Sequence, residues 1–252
     1  MDAATSLQTP TGGNPESDWE QGYGYLFWRF RHGCYGGAGL LGQFCIVMPQ
    51  FDAVLSITAG SWSGPSVLDL VWDRIVPAFS HSPLPSNLES NHGLTQKLMS
   101  LTLKMPAGET TSPTAAKIAG RRYVFAENPQ RIESVEFGPQ GEGANATIRV
   151  KIAGKEQRLV CGKGTWLKGT LEADCGGLVP MTGYLGADFG EPIPIAVSGA
   201  WSSGDTYTVT LCRYRTAFSS TYDMRVSGNE LILERDHAGA ESTSWARLIG
   251  TA

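Results

Sequence analysis

The chain is poor in charge and holds no long apolar run. Asp, Glu, Lys and Arg make up 17% of its 252 residues and sum to a formal charge of −4. No basic excess exists to draw it to nucleic acid or to an anionic membrane surface. No stretch approaches the roughly 18–20 consecutive apolar residues of a membrane span. The opening Met-Asp-Ala-Ala-Thr-Ser has neither a basic flank nor an apolar segment, so no secretion signal is expected there. Cysteine is sparse: Cys34, Cys45, Cys161, Cys175 and Cys212 are odd in number and form no Cys-x-x-Cys. They read as reduced, mostly buried thiols, which favours a cytoplasmic setting. His32, His81, His92 and His237 are equally scattered and lack ligand spacing, so neither a metal site nor any other cofactor is expected.

What the chain does have is glycine, proline and short apolar runs. Its 31 Gly and 14 Pro fall between those runs, the pattern of a strand-rich protein with many turns. Residues 1–17 hold few apolar anchors and read as a flexible lead-in. In the aromatic run 22–30, Tyr23, Tyr25 and Phe27 alternate with Gly24, Leu26 and Trp28. Both faces are apolar, as for a strand covered on two sides. Two more apolar runs, 43–49 and 53–59, follow with short links, giving an antiparallel meander of three strands. A helix then opens at 61–66, capped by Ser63 or Ser66. Leu68, Val71, Trp72, Ile75, Val76 and Phe79 recur along one face of it, which is expected to pack on the meander.

Residues 81–104 read as a linker with a short helix around Asn91–Leu101. Beyond Gly120 the apolar period becomes two. Ile148, Val150 and Ile152 show it, as do Tyr207, Val209 and Leu211, then Tyr222, Met224 and Val226. Turn signals intervene at Asn128-Pro, Gly138-Pro, Ala153-Gly and Ser227-Gly-Asn. The expected fold is therefore α+β to mostly β. A three-stranded antiparallel sheet with a C-terminal helix occupies 18–80, and nine or so strands forming an antiparallel β-barrel or a strongly curled sheet occupy 105–252.

Gly37-Ala-Gly-Leu-Leu-Gly42 fits Gly-x-Gly-x-x-Gly, but a dinucleotide site needs a helix after that motif. Here an apolar strand ending at Pro49 follows, so the segment reads as a turn between strands. Cys161-Gly-Lys-Gly-Thr165 lacks the first glycine of a phosphate loop. Asn145-Ala-Thr147 reads as an ordinary turn.

Residues 18–79, with the aromatic strand, Gly37-Ala38-Gly39, the Gly42-Gln43-Phe44 strand and the helix ending at Phe79, resemble the closing part of the serine β-lactamase-like hydrolases. That superfamily includes class C β-lactamases, D-alanyl-D-alanine carboxypeptidases and related esterases. The resemblance implies that Gly37, Ala38 and Gly39 correspond to a third motif on the cleft-edge strand. The Leu40 N–H would then contribute to an oxyanion hole, where small side chains let a carbonyl approach the backbone. Neither Lys nor His occupies position 37, and a glycine-rich connection with no role is the competing reading. The family's nucleophile motif, Ser-x-x-Lys, and its Tyr-x-Asn are absent from the sequence. The nearest strings are Thr114-Ala-Ala-Lys117, expected in a loop, and Thr165-Trp-Leu-Lys168, expected in a strand. No hydrolase activity is therefore expected of the chain by itself.

The string from Ser198 to Leu211 resembles a strand-turn-strand of the lipocalin-like accessory β-domains of such hydrolases, with Trp201 as a plug. Two other readings stand beside this one. The barrel could hold a small apolar ligand, or it could serve as an oligomerisation or docking domain. Residues 18–79 are expected either to self-associate, edge to edge or through the uncovered face, or to dock on the barrel, because a small sheet with one helix leaves apolar surface bare.

Overall fold

The computed structural model describes residues 2–61, 63–80, 82–83, 85–138, 145–172, 191–235 and 247–252. The chain forms two compact units, one of Met1–Leu101 and one beginning at Thr102. Cys175, His81 and His237 lie outside the described residues.

In the first unit a short helix α1 (Asp2–Thr5) precedes strands β1 (Trp28–Arg29), β2 (Tyr35–Gly39), β3 (Gln43–Met48) and β4 (Ala53–Ile57). They form one antiparallel sheet of four strands in the order β1-β2-β3-β4. This corrects the three-stranded meander in two places. The aromatic run does not extend as one strand: Leu26 has φ 65°, Gly24 N donates to Phe27 O at 2.8 Å, and Tyr23 bridges back to Trp28. Its alternation therefore comes from a folded-back ribbon, and only two residues of it join the sheet. Of the glycine-rich stretch 37–42 expected as a turn, residues 40–42 are the turn, and Gly37–Gly39 end the strand β2. A Cβ at Gly36 would stand 1.9 Å from Cys45 O, so glycine is what lets β2 close on β3.

Helix α2 (Gly64–Leu70) opens with Ser63 accepting from Ser66 N at 3.4 Å, and Pro65 sits in its first turn. The helix expected to run straight to Phe79 widens instead into a π turn at Val71–Ile75 and tightens into a 3-10 turn at Val76–Ala78. Pro77 has no N–H to return to Asp73, which is reason enough for the regular ladder to end there. Leu68, Val71 and Trp72 are buried with Phe44, Ile46 and Met48, forming the unit's core. Residues before β1 join the unit through Thr9, whose N–H donates to Tyr23 O and whose O accepts from Tyr23 N, each at 2.9 Å. Helix α3 (Leu88–Ser100), capped by Asn87 accepting from Ser90 N at 2.9 Å, buries none of its residues.

The second unit is a nearly closed barrel. It comprises helix α4 (Pro113–Ile118) and strands β5 (Arg122–Phe125), β6 (Ile132–Phe137), β7 (Ala146–Ile152), β8 (Lys155–Cys161) and β9 (Leu167–Leu171). It continues with β10 (Ile193–Trp201), β11 (Thr206–Cys212), β12 (Ser219–Ser227), β13 (Glu230–Arg235) and β14 (Leu248–Thr251). The ten strands are antiparallel in the order β8-β7-β6-β5-β14-β13-β12-β11-β10-β9. Closure occurs along β10. Its first residues pair with β9, Gly162 just past β8 then bridges Ser198, and Glu109 bridges Trp201. Gly162 N donates to Val197 O at 3.2 Å and Gly199 N donates to Gly162 O at 3.0 Å.

Alternation along each strand sends one side chain in two inward. Tyr123, Phe137, Trp201, Tyr207 and Tyr222 fill the interior with Ile148, Val150, Ile152, Leu231 and Leu233, and Ile118 of α4 joins the same core. Trp201 meets Tyr207 edge-on at 5.3 Å, and the Tyr207 hydroxyl lies over Gly199, where any Cβ would fall 2.5 Å from it. Burial pushes the Tyr207 phenol up and raises the neighbouring Cys161 thiol to about 12. Neither ionises near neutrality. No described helix is long and apolar enough to cross a membrane.

Candidate functional site at the edge of the four-stranded sheet

Gly37, Ala38, Gly39 and Leu40 fall at the end of β2 and on its turn into β3, a hairpin and not the strand-to-helix turn of a dinucleotide site. Register sets Gly37 against Cys45, Ala38 against Phe44 and Gly39 against Gln43. β1 covers β2 only at Tyr35 and Gly36. The outer edge of Gly37–Gly39 therefore has no strand partner among the described residues. Gly37 is exposed, and nothing lies within 4 Å of where its Cβ would be. An extended backbone has room to lie against this edge, because two of its three residues are glycine and the third is alanine.

The turn that follows is held tightly. Leu41 and Gly42 have φ 66° and 80°, and left-handed backbone costs a non-glycine residue roughly 1–2 kcal/mol. Burial of Leu41 offsets that cost, and its carbonyl accepts from Ser61 N at 3.0 Å. The Gln43 side-chain amide also donates to Ala59 O. Both bonds tie the hairpin to the segment after β4. Leu40 itself is 52% exposed.

Sheet register divides the side chains between two faces. Phe44, Ile46 and Met48 face the core with Leu68, Val71 and Trp72. Gly37, Cys45 and Ser56 share the opposite, uncovered face with Val54, which is 66% exposed. Cys45 is thus the exposed member of the four described free thiols, while Cys34, Cys161 and Cys212 are buried. Burial raises the Cys34 thiol even though Gln50 donates to its sulfur at 3.6 Å.

What fixes the approach of β1 to β2 is a buried carboxylate that sequence patterning had not singled out. Asp18, 5% exposed, accepts from Arg31 N at 2.9 Å through Oδ1. Its Oδ2 accepts from Arg31 Nε at 3.1 Å and from Trp72 Nε1 at 2.9 Å. Arg31 also pairs with Asp69 at 2.7 Å. One side chain so pins the connection between β1 and β2 to the π turn. A lone Asp beside a Trp gives no periodic signal, since its partners are 13 and 54 residues away.

The strings nearest to a nucleophile motif are not assembled for catalysis. Thr114-Ala-Ala-Lys117 lies on α4, a correction to its expected place in a loop, because Ser112 accepts from Thr114 N at 3.1 Å and starts a helical turn. The Thr114 hydroxyl donates to Gly204 O at 2.7 Å, and Lys117 is exposed. Lys168 is on β9, 5.1 Å over the Tyr214 ring, and Thr165 precedes that strand. His32 packs on Trp72 and His92 lies on α3. Among the described residues no group of three metal-ligating side chains converges. No protein-family model matches the chain, and no curated protein matches it.

Proposed function

We propose that residues 18–79 are the closing segment of a serine β-lactamase-like hydrolase fold, and that the lipocalin-like barrel joined to them is a structural accessory. Gly37–Gly39 is then the cleft-edge strand and the Leu40 N–H an oxyanion donor. The observation that carries this reading is the outer edge of β2 at Gly37–Gly39, which has no strand partner among the described residues where β1 stops. Preorganised backbone donors on a braced turn suit the stabilisation of developing negative charge. The uncovered face bearing Gly37, Cys45 and Val54 suits the seat of further catalytic elements. Without a Ser-x-x-Lys the chain by itself turns nothing over, since loss of the nucleophile costs on the order of 10⁶ in rate.

The apolar-ligand alternative has less support, because five aromatic side chains, Tyr123, Phe137, Trp201, Tyr207 and Tyr222, occupy the barrel interior. The experiment is an amide-resolved titration with a β-lactam and with a short acyl-D-alanyl-D-alanine peptide, alongside turnover assays of a chromogenic ester and lactam. Shifts confined to Gly37–Leu40 with no turnover are the expected result. Steady turnover blocked by a serine-acylating reagent would overturn the inactive assignment. Shifts confined to the barrel would overturn the cleft-edge one.

A further inference from the structure

β4 closes one side of the four-stranded sheet, and its outer edge is bare. Among the described residues it pairs with β3 alone. A bare edge presents a row of unmet N–H and C=O groups, which natural sheets usually blunt with a lysine, a proline, a bulge or a very short strand. Ala-Val-Leu-Ser-Ile has none of these devices: it is five residues long, uncharged and regular in register with β3. Packing beneath it is equally unfinished. Ile46 and Met48 of β3 are completely buried, yet their β4 partners Leu55 and Ala53 are only half-buried, as is Ile57, although all five belong to one cluster.

We propose that β4 pairs antiparallel with β4 of a second copy of this chain about a twofold axis at Leu55, joining two sheets into one. That axis sets Leu55 against its own copy and Ala53 against Ile57 on the packing face. On the open face it sets Val54 against Ser56. The edge is complementary to itself, because no charge meets its like across the axis and the apolar face runs on from one copy to the next. A charged partner strand would find no counter-charge here, whereas a second copy continues both the hydrogen-bond ladder and the core. The proposal does not rest on the hydrolase reading.

The test uses the full chain. Light scattering should give the mass of two chains, falling to that of one for Val54→Lys, a change at a mostly exposed side chain. Register is read separately by thiol pairing in a Cys45→Ser, Cys175→Ser background. Val54→Cys mixed with Ser56→Cys should cross-link on mild oxidation many-fold faster than either variant alone. A monomer at every concentration, a dimer that survives Val54→Lys, or equal cross-linking in the unmixed variants would each overturn the pairing.

Discussion

Replacing Asp18 with alanine should loosen the whole four-stranded unit. The carboxylate accepts from Arg31 N, Arg31 Nε and Trp72 Nε1 at 2.9, 3.1 and 2.9 Å. Hydrogen bonds to a charged group contribute about 1.5–3 kcal/mol each, and stripping one partner from a buried ion pair costs about 3–5 kcal/mol. Arg31 retains Asp69, and its side chain is 18% exposed, so the guanidinium recovers part of the loss. The indole N–H and the Arg31 amide do not. The low end of the range, about 3 kcal/mol, is therefore the expected destabilisation. A sheet of this size with one helix is marginal to begin with. Asp18→Asn keeps the shape and one acceptor and should cost about half as much. Amide hydrogen exchange of β3 and β4 reads the effect directly, since about 3 kcal/mol raises the opening constant more than a hundredfold. Urea unfolding followed by the amide resonances of β3 and β4 gives an independent value. If β3 exchange rises by less than about fivefold in Asp18→Ala, under roughly 1 kcal/mol, the clamp has no stabilising role and the reasoning fails.

Adjacent glycines on β2 should respond oppositely to alanine. Gly36→Ala, whose Cβ would fall 1.9 Å from Cys45 O, should disrupt β2–β3 pairing by more than about 2 kcal/mol, whereas Gly37→Ala, facing open space, should fall within about 0.5 kcal/mol in urea titration. A thiol reagent at pH 8, read by peptide mass, should label Cys45 ahead of Cys34, Cys161 and Cys212, while Cys161, buried and raised to about 12, stays unmodified until the barrel unfolds. Glu20 accepts from Gly13 N and Asn14 N at 3.1 Å each, and the bonds to Asn14 and Gly13 hold its carboxyl below the ordinary 4.5. Because the folded value is the lower one, this tie is intact above 4.5 and lost as pH falls through the depressed value. The Gly13 and Asn14 amide resonances should therefore titrate together with a midpoint under 4.5, and Glu20→Gln should abolish that titration.

Local pattern was enough to specify an antiparallel, strand-rich C-terminal unit, while the near closure of its sheet into a barrel came from the pairing along β10. Period-two alternation at Ile148–Ile152, Tyr207–Leu211 and Tyr222–Val226 records which side chains point inward, and all of these inward residues are buried except Val226, which is partly buried against the same core. The helix start at Ser63 was equally local, resting on one hydroxyl and the amide three residues on. The aromatic run is ambiguous to such patterning, because a ribbon that folds back at Leu26 and a straight strand alternate alike along the chain. The turn expected over 37–42 covers only 40–42, since glycine reports freedom of the backbone without saying which conformation the neighbours require.

What only the tertiary structure decided were relations between distant residues. Whether Gly36 must be glycine depends on the Cys45 carbonyl, and whether Asp18 is a solvated acid or a buried clamp depends on Trp72. The bare edges of β2 and β4 are likewise invisible in sequence, because an edge is defined by the strand that is not beside it. Composition and periodicity indicate which faces are apolar; which of those faces and edges remain uncovered among the described residues follows from the spatial order of the strands in each sheet.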